Sequence, residues 1–392
     1  MENQVKKILV FSPFYPPHIG GLESHSDEFN RHLSARGVEI TVFTPRLPKN
    51  APETETRHSG VKILRFPALE LFHNYPVPKF WHTDFWRKWK SLSDENYVIV
   101  ISRTRFFFSS LLALWYAHKR KISFLHIEHG SDFAKFNGWI KTKLGELYDE
   151  IFGRFILRSA NCVVGNSRAS ADFVKKLSGR TDCQVIYRGA NIERIEKIEI
   201  NNNIREKYRD KTIIAFIGRL IDGKGVHDFI LAIARLKRDD IITVIIGGGP
   251  EEERLKRLAV EYQQENQIVF LGNLAYSKAV SILKIADIVV NPSYTEGLPT
   301  SVTEAALCRK AIIATNVGGT KEIISGNNDG YLIEPRNIDQ LKEKLLDLIN
   351  NPEKCLTFGQ NAYQKVKNKF SWNRSIDQYL EVFSNLLENR KK

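Results

Sequence analysis

The chain repeats one pattern: a short apolar run rich in β-branched residues, a turn, then a stretch with apolar positions at helical spacing. In the first half the runs fall at 7–11, 39–44, 61–66, 97–101, 124–127, 162–165 and 184–187. In the second half they fall at 212–217, 241–246, 268–271, 287–291, 311–315 and 330–333. Stretches such as 22–36, 139–159, 226–237 and 250–264 supply the helical spacing between them. Continuous apolar strands alternating with helices predict parallel sheets covered on both faces. The expected fold class is α/β, and two such sets predict two doubly wound domains. The polar stretch 188–211, which contains Asn201, Asn202 and Asn203, marks the boundary, and 340–392 reads as helices broken near 370–372.

Composition agrees with this and removes other classes. A length of 392 residues suggests two domains at about 150 residues each. With 42% hydrophobic and 26% charged residues the chain is an ordinary globular sequence. The longest apolar stretch, 106–117, is interrupted by Ser109 and Ser110 and falls short of the roughly 18 residues a membrane span needs. The run after Lys7 meets Ser12 and Pro13 too early for a signal-peptide core and reads as a first strand. Cys162, Cys183, Cys308 and Cys355 show no CxxC spacing, which predicts a reduced, cytoplasmic protein.

Charge changes the picture further. The net charge is +13, and residues 1–200 hold 30 Lys and Arg against 21 Asp and Glu, while 201–392 hold 28 against 24. A basic first half suits nucleic acid, an anionic membrane surface or a phosphorylated substrate. Phe80, Trp81, Phe85, Trp86 and Trp89 stand among Arg87, Lys88 and Lys90, a mixture suited to a membrane interface. The plainer reading of that segment is a set of core aromatics with solvated lysines.

Candidate chemistry gathers where strands end. After the first strand come Gly20 and Gly21, which let backbone approach a ligand and open a helix with free N–H groups for a phosphate. The loop lacks GxGxxG, so a nicotinamide or flavin fingerprint is absent. The second domain opens on Gly218-Arg219 and Gly223-Lys224-Gly225, a planar fork and a compact cation suited to a diphosphate. Gly247-Gly248-Gly249-Pro250 follows the next strand and allows backbone to approach a nucleotide. Glu296-Gly297-Leu298-Pro299-Thr300-Ser301-Val302-Thr303-Glu304 places two carboxylates able to accept from paired sugar hydroxyls. Ser301 and Glu304 read equally well as a capping box of a helix opened by Pro299, worth about 1 kcal/mol. Gly318-Gly319-Thr320-Lys321-Glu322 opens another helix at the same edge. In the first half, His126-Ile127-Glu128-His129-Gly130 ends a strand; no HExxH or third ligand set accompanies it, so a cleft role for His129 is preferred to metal binding.

Taken in order, these segments resemble the family 4 retaining glycosyltransferases over nearly the whole chain. Gly218-Arg219 with Lys224-Gly225, the Gly247–Pro250 turn, Glu296 to Glu304, and Gly318-Gly319 with Glu322 carry the resemblance, supported by Gly20-Gly21, Glu128-His129-Gly130 and Asn166-Ser167. It implies the GT-B fold: two Rossmann-like domains facing each other across a cleft. Residues 1–190 would bind acceptor, 191–370 would bind the nucleotide-sugar donor, and 371–392 would return to the first domain as a helix. Arg219, Lys224, Glu296 and His129 would be catalytic. Gly20, Gly21, Gly218, Gly248, Gly297, Thr300 and Ser301 would bind donor with them, and Glu304 would take the ribose hydroxyls. No cofactor or metal is implied, because two cations serve the diphosphate. The family often has Glu-Gly-Phe-Gly where this chain has Glu296-Gly297-Leu298-Pro299, and Pro299 offers no amide.

The expected activity is therefore retaining transfer of a sugar from a nucleoside-diphosphate sugar to a lipid-linked glycan acceptor in surface polysaccharide synthesis, at the inner face of the cell membrane. A nucleotide-sugar epimerase or a phosphorylase would share the fold, the latter needing a pyridoxal-binding lysine. A basic nucleic-acid-binding module would need RNP-like aromatics or a basic recognition helix, and neither is evident.

Overall fold

The computed structural model describes residues 7–18, 20–71, 75–133, 138–200, 203–326 and 328–390. Asn201 and Asn202 of the predicted boundary, and the last two residues of the 371–392 segment, lie outside them. The chain divides into two compact units, Met1–Gly189 with Trp372–Lys392, and Ala190–Ser371.

Unit 1 contains β1 (Lys7–Phe11), β2 (Glu39–Pro45), β3 (Thr54–Arg57), β4 (Val61–Phe66), β5 (Ala68–Leu71), β6 (Tyr75–Pro78), β7 (Ile99–Arg103), β8 (Ser123–Glu128), β9 (Cys162–Gly165) and β10 (Gln184–Val185). Eight of them form one sheet in the order β10-β9-β8-β7-β1-β2-β4-β3, parallel except for β3. The remaining two make a separate antiparallel hairpin. Strand β1 pairs with β2 and β7 in parallel, so the chain winds outward from β1 in both directions.

Both sheet faces are covered, which is why these strands are apolar throughout rather than alternating. One face packs the first helix, Gly21–Ser34, and the C-terminal helix, Trp372–Asn389. That last helix places Trp372, Ile376, Tyr379, Phe383 and Leu386 on one stripe, all buried in the unit 1 core. The other face packs the helices Thr83–Ser91, Phe108–Arg120, Arg154–Ser159 and Arg168–Ser178. Trp89 belongs to this core, stacked on Trp115 with ring centroids 4.8 Å apart, whereas Trp81 and Trp86 are exposed. The tryptophan cluster expected at a membrane interface is thus split, because Trp89 lies on the inward stripe of its helix.

Unit 2 is an uninterrupted segment. Its strands β11 (Thr212–Ile217), β12 (Ile241–Ile246), β13 (Ile268–Gly272), β14 (Ile288–Asn291), β15 (Ala311–Thr315) and β16 (Tyr331–Ile333) form one parallel sheet in the order β13-β12-β11-β14-β15-β16. Its helices include Val226–Leu236, whose apolar stripe is buried against the sheet. Among the described residues no helix is long and apolar enough to cross a membrane.

Candidate active site

In each sheet the strand order reverses at one point, between β1 and β7 in unit 1 and between β11 and β14 in unit 2. Ligands of doubly wound folds bind outside the carboxyl ends of strands at such a reversal. The loops that carry the sequence motifs, 12–20, 218–225 and 292–299, are the ones that leave β1, β11 and β14 there.

In unit 2 the two loops are joined by backbone. Tyr294 N–H donates to Gly223 O, and Gly225 (φ +63°) lies so close to Pro292 that a Cβ would come within 2.1 Å of Pro292 O. Across this seam Lys224 Nζ donates to Glu296 Oε1 at 2.6 Å, and Ser293 Oγ donates to the same oxygen at 2.7 Å. Tyr294 fixes the loop from outside, donating to Asp228 Oδ2 at 2.8 Å beneath the Arg336 guanidinium. Arg219 is exposed and has no ion-pair partner among the described residues. The structure therefore brings Lys224 and Glu296 together as a pair, where the sequence reading gave each a separate ligand group.

The glycine run after β12 has a nearer purpose than contact with a nucleotide. Gly247 adopts φ +134°, and a Cβ there would lie 1.9 Å from Gly218 O. On Gly249 it would meet Leu220 O at 2.3 Å, and on Gly248 it would meet Asn273 Nδ2 at 2.7 Å. Gly218 N–H and Leu220 N–H donate to Ile246 O and Gly248 O, so the glycines let two loops of the protein itself lie backbone to backbone. Gly297 O accepts from Gly319 N–H at 2.7 Å, which ties in the third glycine loop.

Ser301 and Glu304 do not form a capping box. The helix Thr300–Leu307 starts behind Pro299 as its N-cap, making Ser301 its second residue and Glu304 its fifth. The fixed φ of Pro299 ends the loop early, and a proline cap has no N–H to donate the reciprocal bond. Ser301 Oγ instead accepts from Asn291 Nδ2 at 2.8 Å, pinning the helix start to the end of β14.

In unit 1, Gly20 is extended (φ 178°) and caps the first helix, whose first residue is Gly21. A Cβ on Gly20 would come within 2.3 Å of Glu23 Oε2, and Glu23 is buried and paired with His18. The first turn expected to be open for a phosphate thus already carries a carboxylate, a stable place for negative charge.

The His129 turn follows β8. Glu128 Oε1 accepts from the N–H groups of His129 (2.9 Å) and Gly130 (2.7 Å) and meets Arg105 Nη1 at 3.1 Å. Burial would raise the Glu128 pKa, but Arg105, His126 and the Gly130 amide hold it far below the carboxylate range. The other end of Arg105 takes Asp149 Oδ2 at 2.8 Å; burial pushes Asp149 up to about 6 against the pull of Arg105. Burial and then Arg103 push the His129 imidazole down to about 3, so it is neutral. Asn166 Nδ2 donates to His129 Nδ1 at 3.1 Å, an orientation set by Ser170 Oγ donating to Asn166 Oδ1 at 2.9 Å. That network assigns the hydrogen to Nε2. Nε2 is sealed from solvent and has no partner among the described residues.

Two neighbours of His129 have no site role in the sequence reading, which set Arg103 among aromatics and cations suited to a membrane interface, whereas the fold buries it. His25, from the first helix, meets the His129 ring edge-on at 4.9 Å and stacks on Trp372 at 5.5 Å. Arg103, at the end of β7, is wholly buried, lies 4.6 Å from the Phe29 ring, and keeps Nε and Nη2 without partners among the described residues. A charged residue closing an otherwise apolar strand was the available signal.

Comparison with known proteins gives the same class from the outside. The description "Glycosyl transferases group 1" matches residues 197–365, and "Glycosyltransferase Family 4" matches residues 19–194. An uncharacterized glycosyltransferase of Methanocaldococcus jannaschii is 38% identical over 97% of this chain and 99% of that protein. The O-antigen chain mannosyltransferase C of Escherichia coli is 26% identical over 97% and 98%. The N,N'-diacetylbacillosaminyl-diphospho-undecaprenol alpha-1,3-N-acetylgalactosaminyltransferase of Campylobacter jejuni is 29% identical over 57% and 60%. Sucrose-phosphate synthase from Thermosynechococcus elongatus shares the fold at TM-score 0.83, with 19% identity over 98% of this chain and all of that one. Anabaena HepE, solved with UDP-glucose, shares it at TM-score 0.75, with 18% identity over 97% and 99%. Two doubly wound parallel sheets of this kind give the protein the α/β fold of the GT-B class. Within that class the chain belongs to the glycosyl transferases group 1, family 4, and it is a glycosyltransferase.

Proposed function

We propose that this glycosyltransferase moves a sugar, with retention at the anomeric carbon, from a nucleoside-diphosphate sugar to a lipid-linked glycan acceptor in surface polysaccharide synthesis. The observation that carries the reading is the sheltered Lys224–Glu296 pair beside exposed Arg219 at the strand reversal of unit 2. In this reading the donor diphosphate recruits Lys224 and Arg219, and Glu296 turns to hydroxyls of the transferred sugar. Glu304 and the Thr300–Ser301 helix start hold the nucleoside end. The two cations stabilise the charge that develops as the bond from anomeric carbon to phosphate oxygen breaks. The acceptor oxygen bonds to that carbon on the same face, and its proton passes to the departing phosphate oxygen. No protein nucleophile, metal or cofactor is required. In unit 1, the fixed Nε2–H of His129 offers a neutral donor to a ligand hydroxyl.

Lipid linkage draws support from the basic first half, and the Campylobacter relative's name specifies a diphospho-undecaprenol acceptor. Attachment to an anionic membrane surface belongs to the same reading. The test is direct. A panel of nucleoside-diphosphate sugars is screened by thermal shift, and the product formed with the stabilising donor is examined by NMR. Retained configuration is expected, and an inverted product overturns the mechanism. Lys224→Ala and Arg219→Ala should each lower turnover by about 10²-fold with the fold intact. Wild-type rates in either would remove that residue from the site.

A further inference from the structure

The helical stretch from Trp139 to Ser159, with a π turn at Asp149–Gly153, is inside out. Ile140, Leu144, Leu147, Ile151 and Phe155, spaced to fall on one stripe, are each 54–61% exposed. Its inward positions are Gly145, Asp149 and Gly153, and only after them do Ile156 and Leu157 turn into the core. Arg105 lies against the last two of the three: it pairs with Asp149, and a Cβ on Gly153 would come within 3.3 Å of Arg105 Cδ. A helix whose first ten residues bury only a glycine gains little from packing, and its outward stripe is large and apolar.

We infer that this ridge is the surface by which the protein lies on an anionic lipid bilayer. The inference rests on the reading of a membrane-borne acceptor and names the face that reaches it. Charge selects the occupant. The segments 108–121 and 139–159 carry seven Lys and Arg against three acids. Each of those acids is already engaged by a base: Glu146 by Lys143, Glu150 by Arg154 and Asp149 by Arg105. The apolar surface continues from Phe155 into an open groove of about 960 Å³ shared with Trp115, with His118 and Lys121 among its lining residues. An apolar stripe bordered by tryptophan and cations is the composition of a helix lying in the plane of an interface, with its lysines reaching headgroups. From residue 140 to 155 it spans roughly 23 Å at 1.5 Å per residue.

The experiment compares wild type with Leu144→Gln/Leu147→Gln/Ile151→Gln on phosphatidylcholine vesicles with and without about 30% phosphatidylglycerol. Wild type should co-sediment with the anionic vesicles only and be released by about 0.5 M salt. The variant, whose changed side chains are exposed, should keep its melting temperature and its rate of donor hydrolysis while binding vesicles about tenfold less. In wild type the vesicles should blue-shift tryptophan emission, and Trp139→Phe should lose most of that shift. Unchanged vesicle binding by the triple variant, equal binding to neutral vesicles, or a wild-type dimer that the variant dissociates without any vesicle binding each overturns the proposal. If wild type ignores all vesicles but transfers sugar to a soluble acceptor, the docking face is lost while glycosyl transfer stands.

Discussion

His129 and His25 are neutral because burial and nearby guanidinium groups oppose their charging. For His129 the folded value is about 3 against an ordinary 6.5, so between those limits the unfolded chain binds more protons. Stability from this residue is complete above pH 6.5 and is lost as pH falls, at about 1.4 kcal/mol per unit. Urea unfolding should therefore show the advantage of wild type over His129→Gln shrinking by about 2 kcal/mol between pH 7 and pH 5. A constant gap would mean that His129 titrates normally in the fold. The individual residues of unit 2 were legible, since Arg219, Lys224 and Glu296 stand beside glycines at strand ends. Their pairing was not, because Lys224 and Glu296 are 72 positions apart and only the β11–β14 reversal joins them. Arg103 and His25 were hidden for the same reason: each is a single polar residue whose neighbours come from other elements.

At the scale of elements, apolar continuity found every parallel strand of the two main sheets, with ends displaced by at most a few residues. It missed β3, whose sequence Thr-Glu-Thr-Arg is polar because it edges the sheet, and the β5–β6 hairpin, where Pro76 and Pro78 obscure the strand signal. The 139–159 pattern was legible as a helix, but periodicity reports a stripe without saying what covers it, and here the stripe faces outward. The helix at Thr300 shows the converse, where a motif had two readings and geometry removed one. With Pro299 as the cap, Glu304→Gln should leave the melting temperature unchanged. It should weaken nucleoside-diphosphate binding by about 10-fold or more, the scale of a charge-assisted hydrogen bond. Calorimetric titration decides: unchanged affinity would take Glu304 out of the donor site.

For the whole molecule, the decisive feature is that unit 1 is assembled from both ends of the sequence. The C-terminal helix buries Trp372, Ile376, Tyr379, Val382, Phe383 and Leu386 against its sheet. At about 1.5–3 kcal/mol per side chain the six sum to about 9–18 kcal/mol as an upper estimate, comparable to the whole stability of a domain. A chain ending at Ser371 should accordingly lose the cooperative unfolding of unit 1 and aggregate, while residues 190–371 expressed alone should melt as one transition. Calorimetry of the two fragments checks this, and a soluble, cooperatively melting 1–371 would show that the helix is dispensable.

That arrangement also sets an order of events during synthesis. Ala190–Ser371 leaves the ribosome as one uninterrupted stretch and has everything its sheet needs before Trp372 is added. The sheet of unit 1 emerges first and is finished last, with one face awaiting a helix made some 180 residues later. For all that time the growing chain has only the first helix on the face that carries Ile8, Val10, Ile40 and Ile101, and the part the last helix would cover stays open. Nascent-chain chaperones would meet it there, and a ribosome stalled within unit 2 would hold a half-built first domain beside a second one still being made.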